Sequence, residues 1–213
     1  MKKLLFIIVM LSISVVSFGQ SKFEKAMLAN IDSLYQSLGS GAVQKPIKTF
    51  KELLQTNKNR WEPSYYVAYG YCILSLHEND GLKKDALCDS AQVFLDKAFT
   101  LQPEESELYV IQGFLYNMRL IVNPMARANS MMSEIDQSYN TAEKLDSLNP
   151  RVYYMRAQMV MNTPSFMGGG KDKALPMFQK AKQKFDTFTS IDKLAPSWGK
   201  ENCLKMIVEC QGK

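Results

Sequence analysis

Residues 104–121 read Glu-Glu-Ser-Glu-Leu-Tyr-Val-Ile-Gln-Gly-Phe-Leu-Tyr-Asn-Met-Arg-Leu-Ile, with Pro103 before them and Asn123-Pro124 after. Inside the stretch Tyr109, Gly113 and Tyr116 stand four and three apart, the spacing of neighbours on one helix face. A small residue flanked by large ones one turn away on either side leaves a notch into which another helix can nest. The same large-x3-small-x2-large pattern recurs upstream at Ser64, Ala68 and Tyr71, weak at its first place, and downstream at Tyr153, Ala157 and Val160. The small residues are 45 and 44 positions apart. An internal repeat of paired helices is therefore expected.

A second pattern, small-x3-large-x2-small, follows each of these helices. It reads Ala91, Leu95, Ala98 in one repeat and Ala174, Phe178, Ala181 in another. Between them Ser138, Ala142, Leu145 keeps the spacing but exchanges small for large at two places. Working outward, the spacing predicts helices near 22–38, 42–56, 62–78, 84–101, 104–121, 125–147, 150–163, 171–187 and 197–211. Gly39-Ser40-Gly41, Asn79-Asp80-Gly81, Asn149-Pro150 and Thr163 to Gly170 punctuate them. Sustained period-two alternation is absent, so strands are not expected. Short loops between helices make successive helices antiparallel. Pro46 and Pro176 suit only a first helical turn, so those two helices are expected to begin late.

Gly or Ala, Tyr, Ala, Phe, Ala and Pro in this order resemble the tetratricopeptide repeat. The resemblance covers roughly residues 62–187 and implies an all-α, α-α superhelix of antiparallel hairpins. Repeats then fall near 22–56, 62–103, 104–150 and 150–187, with a capping helix over 197–211 that begins beside Trp198. The family's period is 34 and the one here about 44, the excess lying between the two helices of each pair. The Thr163-Pro164-Ser165-Phe166 loop with its glycine cluster, and the Pro196-Ser197-Trp198-Gly199 turn, are similar to features of exported bacterial tetratricopeptide-type proteins. In that family the first helix of each pair lines the concave face. The resemblance thus implies a groove of Tyr65, Tyr69, Val110, Phe114, Asn117, Tyr154, Gln158 and Met161, with a protein or peptide as occupant. The plainer account of these side chains is that several pack between repeats.

Residues 1–19 have the make-up of a signal peptide: Lys2 and Lys3, an apolar run, then Ser17-Phe18-Gly19. The apolar 15 residues from Leu4 to Phe18 fall short of the ~20 that span a bilayer. Residues 20–213 are then expected as one exported helical-repeat domain, periplasmic or otherwise outside the cytoplasm, and not membrane-spanning. The formal charge is +5, and Lys2 and Lys3 contribute two of those positive charges. So mild and dispersed a charge excludes a nucleic-acid surface.

His77 is the only histidine, which removes a multi-histidine metal site and most histidine-based catalysis. Gly168-Gly169-Gly170-Lys171 lacks the earlier glycine and the following Ser or Thr of a phosphate loop, and Asp172 would repel an anion. Glu104-Glu105 and Asp85/Asp89 fit first turns of helices better than acid–base pairs. Neither an enzyme nor a cofactor is expected. Cys72 and Cys88 fall on adjacent antiparallel helices, where a disulfide is open to them; buried free thiols are the simpler account. The functional expectation is a protein-binding scaffold in the cell envelope, with a solute-binding accessory subunit of a transporter as the alternative.

Overall fold

The computed structural model describes residues 22–212; the expected signal peptide lies outside them. Helix α1 covers residues 22–37. It is followed by α2 (Gln44–Thr56), α3 (Glu62–His77), α4 (Gly81–Leu101), α5 (Ser106–Val122), α6 (Pro124–Leu145), α7 (Pro150–Asn162), α8 (Lys171–Thr187) and α9 (Lys200–Cys210). Among the described residues there is no strand, and no helix is long and apolar enough to cross a membrane.

The starts follow capping chemistry. Asp80 accepts from the amides of Leu82 and Lys83, so α4 begins at Gly81 and the turn expected there is its cap. Asn123 and Asn149 cap α6 and α7, each with proline as the first helical residue, where a missing N–H costs nothing. Pro176 lies inside α8 rather than delaying it. Gly170, at φ 101°, opens α8, and its N–H bonds to Val160 O at 2.9 Å. This ties the glycine cluster to the preceding helix. Lys171 pairs with Glu209 of α9 at 3.1 Å.

Helices α3/α4, α5/α6 and α7/α8 form antiparallel hairpins, and α3, α5 and α7 pack side by side as one wall. Ala68, Ala157, Ala91, Leu95, Ala98, Ala174, Phe178 and Ala181 are all fully buried, as the repeat requires. The middle repeat corrects the expected register. Leu145 is 39% exposed, whereas Ile135, Tyr139 and Ala142 are fully buried. Those three stand 44 positions after Ala91, Leu95 and Ala98. A Cβ on Gly113 would lie 2.4 Å from the Tyr139 ring. The notch at Gly113 is thus filled by an aromatic side chain rather than by a neighbouring backbone.

Helix α9 packs on α8, but Trp198 is not its first residue. Residues 188–199 form a helix-free strap before α9. Cys72 and Cys88 are free thiols, and Cys88 Sγ lies 3.3 Å from Ser75 Oγ.

Candidate functional site

The strap crosses the wall that α3 and α7 present. Tyr66 donates its hydroxyl to Leu194 O at 2.8 Å, and Tyr35 of α1 accepts from the Ser197 amide at 3.1 Å. The Trp198 indole lies parallel to Tyr69, with centroids 4.8 Å apart and planes at 15°, and meets Tyr154 edge-on at 6.4 Å. Its Nε1–H donates to Tyr65 Oη at 2.8 Å. Trp198 is 6% exposed, and indole burial with its N–H satisfied is the favourable arrangement for this side chain.

Behind the indole lies an ion pair. Tyr65 donates onward to Glu107 Oε2 at 3.3 Å, and Glu107 Oε1 accepts from Arg151 Nε at 2.7 Å. Both charged side chains are almost wholly buried. Burial pushes the Glu107 carboxyl up, against the pull of Arg151. Burial alone would lower Arg151, but the facing Glu107 together with Tyr65 and Tyr35 outweighs it and the guanidinium is held in its charged form. Among the described residues Arg151 Nη2 has no hydrogen-bond partner. The guanidinium lies beneath the Phe188 and Trp198 rings of the strap, 5.0 and 5.9 Å from their centroids.

Trp198 also borders open space. A groove of about 790 Å³ is walled by Tyr35, Tyr69, Ile73, Leu76 and Trp198, with His77, Lys200 and Lys205 among its lining. A smaller recess of about 130 Å³ continues from it and shares Tyr69, Ile73, Leu76, Trp198 and Asn202. The sole histidine sits at this groove with Nε2 3.0 Å from Leu38 O.

Of the eight residues expected to line a groove, Tyr69, Phe114, Asn117, Tyr154 and Gln158 converge on the recess. Burial pushes the Tyr154 hydroxyl up to about 12, so it serves there as a neutral hydrogen-bonding group. Tyr65 and Val110 are fully buried, and Met161 is half-buried against the core outside the lining. The expectation treats the inner wall as bare; the strap lies on it and seals Tyr65. Trp198, Leu76 and the Glu107–Arg151 pair are the residues the sequence reading did not place here. Glu107 and Arg151 each stand six positions before the small residue of their repeat, Gly113 and Ala157. That shared column is the signal that would have found them.

No family model matches the chain, and no curated protein matches its sequence. Among solved structures, the HusA haemophore from Porphyromonas gingivalis is similar to it. The likeness has a TM-score of 0.77 at 27% identity, over 89% of this chain and 93% of that one. A thermophilic tetratricopeptide repeat protein from Thermus thermophilus superposes with a TM-score of 0.57 at 13% identity, over 95% and 97%. At that identity the second likeness concerns the fold alone. The chain has a tetratricopeptide-like all-α fold.

Proposed function

We propose that the chain is an exported, haemophore-like binding module that seats a flat, apolar ligand of the porphyrin class, and that it binds without catalysing a reaction. The observation that carries this reading is the aromatic-walled groove beside Trp198, in a fold shared with a haemophore over nearly its whole length. Leu76 offers aliphatic surface, and Tyr69, Ile73 and Trp198, each nearly buried, border the groove beside it, an apolar lining of the kind that small-molecule sites favour. Lys205 at the same groove suits the carboxylate edge of such a ligand, whereas Lys200 is held by Asp186 at 2.8 Å. Export is supported by the leader-like make-up of residues 1–19.

Haemin titration tests the reading. Leu76 is 50% exposed and borders both the groove and its recess, so Leu76→Asp charges the site with little cost to the core. Haemin is expected to give a saturable Soret change and to quench tryptophan emission, with affinity weakened about tenfold or more in Leu76→Asp, equivalent to at least ~1.4 kcal/mol. Absence of a saturable change in the wild type, or equal affinity in the variant, would end this reading.

A second reading, a protein- or peptide-binding scaffold, is supported by the tetratricopeptide-like fold and by the aromatic inner wall of Tyr65, Tyr69 and Tyr154. Native crosslinking in the producing cell followed by recovery of one defined exported partner is the result this reading requires.

A further inference from the structure

The strap makes contacts of a kind that a bound peptide would make. Its main chain is read twice by tyrosine hydroxyls, at Leu194 O by Tyr66 and at the Ser197 amide by Tyr35. Its largest side chain, Trp198, enters an aromatic slot of Tyr65, Tyr69 and Tyr154. No helix forms between residues 188 and 199, so a few discrete contacts hold it rather than a continuous backbone ladder. Gly199, at φ 105°, joins the strap to α9 in a conformation that side-chain-bearing residues rarely adopt. Beneath lies Arg151 Nη2, buried and without a hydrogen-bond partner among the described residues, roofed by the strap's own Phe188 and Trp198. A wall that satisfies its hydroxyls through the strap yet leaves a guanidinium nitrogen unpaired is incompletely served by the present occupant.

We infer that residues Leu194–Trp198 are a self-supplied occupant of a peptide site on the inner wall. The outside ligand that displaces them is a non-helical protein segment of the same chemistry: an indole preceded by a short polar residue and proline. A hydrogen-bond acceptor in that segment would reach Arg151 Nη2. The inference rests on the scaffold reading and is independent of porphyrin binding, and its test contains no porphyrin.

A tethered segment competes at an effective concentration of the order of millimolar, so the wild-type site is masked. The probe is a synthetic peptide of residues 190–200, and a second peptide in which Trp198 is replaced by alanine serves as control. The receptor is the full chain carrying Leu194→Gly, Pro196→Gly and Trp198→Gly, which vacates the slot. Added peptide is expected to raise the melting temperature of this variant in a saturable way, with an affinity at least roughly tenfold above that for the wild type. The control peptide should give no shift. The variant Trp198→Phe retains a ring against Tyr69 and so preserves the fold. It is expected to bind the probe more weakly than the triple variant and more tightly than the wild type. Equal affinity of all three proteins, no shift in either variant, or an equal response to the control peptide would overturn the inference.

Discussion

A Cβ on Gly113 would fall 2.4 Å from Tyr139 Cε1, and both residues sit in the fully packed centre of the middle repeat. The ring cannot retreat without moving α6, so Gly113→Ala is expected to destabilise by about 1–3 kcal/mol, the usual cost of overpacking. Tyr139→Leu in the same chain should recover part of that loss, a coupling that chemical denaturation of the single and double variants measures. Additive losses would contradict the contact. Glu107 makes a second demand at this scale. Glu107→Gln leaves Arg151 buried without its counter-ion, so a loss of roughly 3–5 kcal/mol is expected and the same denaturation curves read it. The small residues themselves were legible from their recurrence. Which side chain fills each notch was not, because several nearby residues of the facing helix satisfy the same spacing. Ser138, Ala142 and Leu145 fit the pattern by eye, while burial selects Ile135, Tyr139 and Ala142.

Helices α4 and α6 are joined by an ion pair in which both nitrogens of the Arg127 fork reach both oxygens of Asp85, each at 2.7 Å. The side chains are partly exposed, so the bridge contributes on the order of 1 kcal/mol. The Arg127 hydrogen bonds hold the Asp85 carboxyl below its ordinary 3.8. A carboxyl depressed in the folded state stabilises above its unfolded pKa and loses that contribution as pH falls through the folded value. Asp85→Asn is therefore expected to melt a few degrees below the wild type near neutrality, with the gap closing as pH falls below about 3.8. A gap constant down to acid pH would show that packing rather than charge is at work. All nine helices that this sequence predicts begin and end within three residues of where they are found, and aspartate, asparagine and proline mark the starts of α4, α6 and α7. The last element departs furthest. Pro196-Ser197-Trp198-Gly199 has the look of a helix start, yet the indole gains more by burial against Tyr69 than it would at an exposed first turn.

For the molecule as a whole, the strap puts two binding surfaces on either side of one indole. Trp198 closes the peptide slot on the Tyr65 side and walls the groove on the Leu76 side. A segment that lifts the strap therefore dismantles the groove wall, and a ligand stacked on that wall holds the strap down. Two ligands coupled in this way must weaken each other by the same factor. In the Trp198→Phe variant, which keeps a ring in place, saturating peptide is expected to raise the Kd for haemin by roughly tenfold, and saturating haemin to raise the peptide Kd equally. Calorimetric titrations in both orders measure the two factors. An unchanged haemin Kd would move the ligand away from this indole and leave the groove beside Leu76 without its wall-sharing role. Reciprocal weakening instead requires that a partner's segment and the cargo oppose each other's binding, because position 198 walls the groove fully only while the strap lies in its slot.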